Sequence, residues 1–421
     1  MTRSPTTTTL AASVLSRIRD RNIRLVYLAV FMLGTGYGMA IAVIALHLDA
    51  RGFTKSDIGE LAAFFASGIV VMSLPVGALL RRMSAKVTLS ASLLGYAATV
   101  GLFPLLHGFA WIAFARFLDG CFSVGIWVSC ETILLMRADD DNKANVTSVY
   151  AMAIAVGYLV GPLAAKLITH ALSLSSTFFT AAAIATLASL IVWARLDPDP
   201  PDAHQGRSTG LVDGTRTPAV DLLASIKTAC FATFAYGYFQ ASVVLFLPLY
   251  LVESKGISRE TTILVPAFFA AGMLAFSNAA GRLGDRVGHL RVMRGLGSIG
   301  LVMILAFVFL ESFPPMALAV FVAGATLASI SPLSLALQGV VTGRHDTSRA
   351  NAIYNVFYAA GMLLGPPISS VIFRRFGGAA MLYHLAALWM AFVLFALVFA
   401  SDDPRHREFS LFGSPRRQGA K

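Results

Sequence analysis

The chain has 421 residues, 57% hydrophobic and 13% charged, with a mean hydropathy of +0.72. That leaves too little polar surface to cover a water-soluble particle of this size, so composition places the chain in lipid. A net charge of +11 would point to nucleic acid in a soluble protein; here it is read from where the cations sit along the membrane spans, and no series of base-stacking aromatics among cations accompanies it.

In chain order, residues 1–23 form a basic tail, with Arg17, Arg19 and Arg21 followed by Arg24 at the start of an apolar run that reaches Leu48. That run exceeds the roughly 7–15 residues of a signal-peptide core and lacks a small-x-small cleavage site, so it is expected to remain as the first helix. Twelve spans of about 20 residues are expected. They begin close to Arg24, Ile58, Lys86, Ala110, Val146, Leu174, Leu222, Thr261, Arg291, Pro314, Ala350 and Ala379. Six of them form a bundle over residues 24–195 and six over residues 222–400. Between lies 196–221, where Asp-Pro-Asp-Pro-Pro-Asp and a Gly, Ser and Thr stretch cannot bury apolar surface and predict a flexible cytoplasmic linker. Residues 401–421, with Arg405, Arg407, Arg416 and Arg417, form a second basic cytoplasmic tail suited to anionic headgroups. With both termini inside, roughly 24 Lys and Arg fall on the inner side against roughly 7 outside, which orients the chain in an inner, or plasma, membrane.

The two halves repeat. Ala63-Phe64-Phe65-Ala66 recurs 204 residues later as Ala267-Phe268-Phe269-Ala270, and Gly68 and Gly77 recur as Gly272 and Gly281. At the same offset Tyr150 matches Tyr354, and Gly157-x-x-x-Gly161-Pro162 matches Gly361-x-x-x-Gly365-Pro366. Equivalent halves of membrane-spanning length place a working site between them. The predicted class is an all-α integral membrane protein of twelve helices in two pseudo-symmetric six-helix bundles.

The run Gly281-Arg282-Leu283-Gly284-Asp285-Arg286-Val287-Gly288 resembles the G-x-x-x-D-R-x-G loop of the major facilitator superfamily, and the repeat and span count extend that resemblance over the whole chain. The resemblance implies an inner latch: Gly281 for close helix approach, Asp285 facing the positive start of the fifth helix, and Arg286 holding the inner surface. The first half departs from the pattern, because Arg81 stands where Asp285 has its equivalent, after Gly77. Inner closure is therefore expected to depend mainly on Asp285.

The fourth span holds three ionisable residues, Arg116, Asp119 and Glu131. At about 100° per residue, Arg116, Gly120, Ser123, Trp127, Cys130 and Glu131 share one face with Asp119 at its edge, and that face must avoid lipid. Arg116 and Asp119 are spaced for a local ion pair. Arg116-x-x-x-Gly120 resembles a superfamily pattern associated with proton coupling, which implies that Arg116, Asp119 and Glu131 couple proton movement to transport, a carboxylate carrying the proton and the arginine tuning its affinity. The other reading is a permanent buried pair, with Glu131 bracing Arg81 or Arg82. In the fifth span Gly157, Gly161 and Pro162 resemble the antiporter motif, with Ala164-Ala165 where the family has glycines. Gly361, Gly365 and Pro366 repeat it, so small-residue packing imposed by the internal symmetry also accounts for it.

Spans 1, 4, 7 and 10 line the central cavity in the superfamily, which implies contacts from Tyr37, Trp127, Tyr236, Gln240, Ser331 and Ser334. Tyr354, Asn355 and Tyr358 form a second polar and aromatic stripe at helical spacing. Such a lining suits a small amphipathic organic molecule. No phosphate-binding loop argues for ATP, no pair of histidines has metal-ligand spacing, and Cys121, Cys130 and Cys230 read as packing residues. No nucleophile, base and orienting group converge as in an enzyme. The expectation is a secondary transporter without cofactor, driven by an ion gradient, exchanging protons for an outward-moving solute. Proton-linked nutrient uptake and a non-transporting sensor of the same fold are the alternatives. Its partners are a small-molecule substrate and membrane lipid, with no nucleic acid, and a monomer suffices.

Overall fold

The computed structural model describes residues 20–73, 75–137, 143–198, 218–342 and 346–404. The linker and tails read from the sequence fall mostly at 1–19, 199–217 and 405–421, outside the described residues. Among the described residues twelve long helices cross the structure: α1 Arg21–Ala50, α2 Lys55–Ser73, α3 Ala85–Leu102, α4 Phe109–Arg137, α5 Lys143–Ala171, α6 Leu174–Arg195, α7 Ala219–Lys255, α8 Val265–Val287, α9 His289–Phe307, α10 Phe313–Val341, α11 Thr347–Phe376 and α12 Gly378–Val398. All twelve are long and apolar enough to span a bilayer. Each begins within about four residues of its predicted start, because the apolar runs themselves set the boundaries. Several run longer than predicted: α7 has 37 residues, or about 55 Å. Helix is the conformation that satisfies its own backbone in lipid, so it continues until a polar cap replaces it. Ser84 and Ser173 cap the starts of α3 and α6 in this way, each side chain accepting a backbone N–H three residues on. Gly256, at φ 65°, closes α7 in the left-handed region open to glycine.

An even number of spans puts residues 20 and 404 at one end of the molecule, called here the terminal end; the other is the far end. The 204-residue repeat is legible in the packing. A Cβ on Gly120 of α4 would strike the Phe65 carbonyl of α2, and one on Gly324 of α10 would strike the Phe269 carbonyl of α8. Likewise, a Cβ on Gly157 would sit 2.7 Å from the Thr35 amide of α1, and one on Gly361 2.8 Å from the Tyr238 amide of α7. Gly161 meets Met39 of α1, and Gly365 meets Tyr238, at similar range. Glycine at these sites lets backbones touch, which is how helices bind one another where lipid removes the hydrophobic drive. The bundles α1–α6 and α7–α12 meet along α2 and α11, α5 and α8, and α1 and α7.

Candidate functional site

Between the bundles lies a cavity of about 390 Å³, within the range of small-molecule sites. From α4 it receives Arg116, Asp119 and Trp127; from α1, Tyr37; from α7, Tyr236 and Gln240; and from α11, Tyr358. These are sequence candidates. Asp119 accepts a hydrogen bond from Arg116, forming the ion pair that their spacing allows, and its other oxygen is 3.5 Å from the Ser123 hydroxyl. The guanidinium lies 4.4 Å from the Phe65 ring centroid of α2, a cation–π contact. Tyr37 stacks on Tyr96 at 6.1 Å and meets Trp127 and Tyr158 edge-on at 6.5 and 5.8 Å. Across the cavity Tyr236 stacks on Tyr358, whose hydroxyl donates to Gln240 Oε1 at 3.0 Å.

The other candidates lie outside the lining. Ser334 and Tyr354 hydroxyls are 2.8 Å apart and Tyr354 donates to the Ser331 carbonyl, a closed cluster between α10 and α11. Asn355 is exposed. Glu131 is exposed too, one helical turn beyond Trp127 on the same face of α4 toward the terminal end, and it makes no ion pair among the described residues. It lies about 18 Å along the axis from Asp119, so the three ionisable residues do not form one cluster. Gly77 is half-buried in a short helix, Pro75–Arg82. A Cβ on Gly281 would meet nothing within 4 Å, so no neighbour in this conformation requires glycine there. Asp285 and Arg286 are exposed, and the Asp285 carboxylate is 3.3 Å from His289. The side chains of Arg81 and of residues 143–145, where the latch was expected to act, lie outside the described residues. Pro162 of α5 packs its ring toward Gly38, and Pro366 of α11 presents its carbonyl to Gly59.

Sequence reasoning missed Phe65, Tyr96, Tyr158 and Met362 of the wall. The repeat links three of them to partners that also line the cavity. Phe65 and Phe269, Tyr158 and Met362, Tyr37 and Ala241, and Arg116 and Val320 are pairs 204 apart, and all eight residues line the cavity. The lining is pseudo-symmetric in position and asymmetric in charge.

At the far end, two ion pairs join the bundles among the described residues, Lys55–Glu253 at 2.8 Å and Asp49–Arg259 at 2.7 Å, and the His170 imidazole lies 3.4 Å from the Glu260 carboxylate. Asp49 and Glu253 are repeat equivalents, as are Lys55 and Arg259. Each acid therefore pairs with the base of the opposite half, and the far end is closed by a reciprocal clasp. Behind it, a Cβ on Gly59 of α2 would lie 2.8 Å from the Pro366 carbonyl of α11.

The sequence model of the Major Facilitator Superfamily matches residues 26–228 and again 229–419. The chain belongs to that superfamily. It is a multi-pass membrane transporter rather than an enzyme, and the double match of the superfamily model falls on the two repeated halves. Among superfamily relatives, the MFS-type transporter YcaD of Shigella flexneri is 24% identical over 372 residues, covering 87% of this chain and 94% of that one. The solved superfamily folds it resembles include a variant of the nucleoside transporter NupG, with a TM-score of 0.75 and 13% identity over 90% of this chain and 98% of that one. A bacterial homologue of the human lysosomal transporter Spinster, inward-facing and occupied, gives 0.70 and 14% over 94% and 97%.

Proposed function

We propose that the chain is a proton-coupled secondary transporter that carries a small amphipathic organic solute through the central cavity by alternating access. The observation that carries this reading is the Arg116–Asp119 pair, which supplies a strong acid and base in a wall otherwise built of phenols, phenyl rings, an indole, an amide, a hydroxyl, thioethers and aliphatic groups. A charge pair in the middle of a membrane costs several kcal/mol to place and is retained where ions or solutes pass. The excess of Lys and Arg at the terminal end supports a cytoplasmic location for both termini and an inner-membrane setting. The far-end clasp then closes the extracellular side. Outward exchange draws on the glycine and proline motif of α5; because α11 carries the same motif in the same packing role, the coupling chemistry is the stronger guide to direction.

The test is internal pH in proteoliposomes, followed with an entrapped dye while a panel of amphipathic compounds is added outside. A compound-dependent proton flux above that of protein-free liposomes, lost in Asp119→Asn, is the expected result. Flux that survives this substitution unchanged would remove the pair from the coupling mechanism.

A further inference from the structure

The cavity does not present its two charges equally. Both oxygens of Asp119 face partners on its own helix, Arg116 and Ser123, and its side chain is 6% exposed against 15% for Arg116. A guanidinium carries five N–H donors in a planar fork. Among the described residues Arg116 donates to Asp119 and lays its face over Phe65, which leaves most of the fork for the cavity. The equivalent positions in the second half are Val320 and Ala323, without charge. Tyr37 and Tyr96 stand beside the pair, and Trp127 and Tyr158 pack against Tyr37 further along the wall, an aromatic slot that ends in a cation.

We propose that the cavity takes a small organic carboxylate, which replaces Asp119 on Arg116 while Asp119 takes up a proton from water, so that anion and proton occupy the site and cross together. This deepens the transport reading above and rests on it. An ionised Asp119 that has lost its guanidinium would be an isolated, buried charge, and one proton removes that cost. No bond of the substrate is made or broken.

Charge balance explains why the two would travel together. The empty site holds Arg116 cation and Asp119 anion, net zero. The loaded site holds Arg116 cation, substrate anion and protonated Asp119, again net zero. With a proton alone the site is +1, and with the anion alone −1, and a net charge in the closed centre resists crossing. Leak of either species is suppressed by the same term. An organic amine would meet Arg116 at the end of the slot and raise the site to +1. The other titratable groups facing the pair are phenols: Tyr37 from α1, Tyr96 from α3, Tyr158 from α5, and Tyr236 and Tyr358 from the second bundle. Phenols stay neutral through the working pH range, leaving Asp119 as the proton acceptor; α2 contributes Phe65, which does not titrate. A proton gradient directed into the cell would then draw the anion inward, the reverse of the outward exchange expected from the fifth-span motif.

The experiment uses the purified full chain with three matched probe sets: phenylacetate and benzoate, their primary amides, and phenethylamine and benzylamine. Binding is read by tryptophan fluorescence, helped by Trp127 in the wall, and proton uptake by pH change in weakly buffered solution. The expected result is binding confined to the carboxylates, with about one proton taken up per anion and affinity rising by up to about tenfold per unit fall in pH, the limit set by reciprocal linkage. Asp119→Asn should abolish that pH dependence, and Arg116→Lys should weaken carboxylate binding at least tenfold with its pH dependence retained. Amines or amides binding as tightly as carboxylates, or carboxylates binding without proton uptake, would overturn the inference; if those compounds still drive proton flux in proteoliposomes, the transport reading stands. Neither binding nor flux with any set, in protein with an intact melting transition, would overturn both.

Discussion

Arg116 is fixed by two contacts of different kinds, a charge-assisted bond to Asp119 and the face of Phe65. The ion pair sets what a single deletion costs. Arg116→Leu strands a buried carboxylate and is expected to lower stability by about 3–5 kcal/mol, whereas Arg116→Leu combined with Asp119→Leu should recover most of that loss, because an apolar replacement removes both charges at once. Thermal unfolding of the two variants in one detergent measures the difference; equal destabilisation would mean that the pair is not the stabilising unit. Glu131 is of another kind. Exposed and without an ion-pair partner among the described residues, it contributes little to the fold, so Glu131→Gln should change stability by no more than about 0.5 kcal/mol. If it delivers protons between the cavity and the terminal end, the same substitution slows proton flux severalfold, and an unchanged flux would take it off the route.

At the scale of helices, glycine rather than charge decides geometry. Gly120, read from the sequence as part of a coupling pattern with Arg116, sits where α4 touches the Phe65 carbonyl of α2, and its equivalent Gly324 does the same on α10 in a half that has Val320 in place of the arginine. The glycine therefore serves packing. Gly120→Ala and Gly324→Ala are each expected to cost about 1–3 kcal/mol or more through overpacking, with similar falls in melting temperature; a loss of transport in Gly120→Ala at unchanged stability would return the glycine to the coupling mechanism. These elements also show what the sequence makes legible. Helix number, starts and the Arg116–Asp119 contact follow from local rules of hydropathy and i,i+3 spacing. Tyr96 and Tyr158 were missed because a side chain's direction into a cavity depends on how helices rotate against one another, which close-packing glycines on a different helix determine. The repeat ties Tyr158 to Met362, so placing either one in the wall places the other. It offers no such help for Tyr96, whose equivalent, Gly300, is absent from the lining.

At the scale of the whole molecule, the duplicated chain closes its far end with duplicated chemistry. Asp49 reaches Arg259 and Glu253 reaches Lys55, so the same acid and base positions serve both halves through the pseudo-two-fold axis. Both pairs are partly exposed, with side-chain exposures between 23% and 44%, and each exposed pair contributes about 0.2–1 kcal/mol. Two such pairs can bias the balance between far-end-closed and far-end-open states by several-fold without locking it, which suits a transporter that must pass through both. Lys55→Glu should therefore shift the population toward far-end opening by about two- to fivefold, as should Arg259→Glu, and high salt should weaken the wild-type clasp in the same direction. The reciprocal design supplies a sharper test. Exchanging the charges of one pair, Lys55→Glu with Glu253→Lys, should restore closure that Lys55→Glu alone has lost, read as protection of a cysteine introduced at the cavity position Val244 from a membrane-impermeant maleimide. If the exchanged pair labels as fast as the single variant, the attraction between these charges does not hold the far end closed, and packing of Gly59 against α11 would be left to do so.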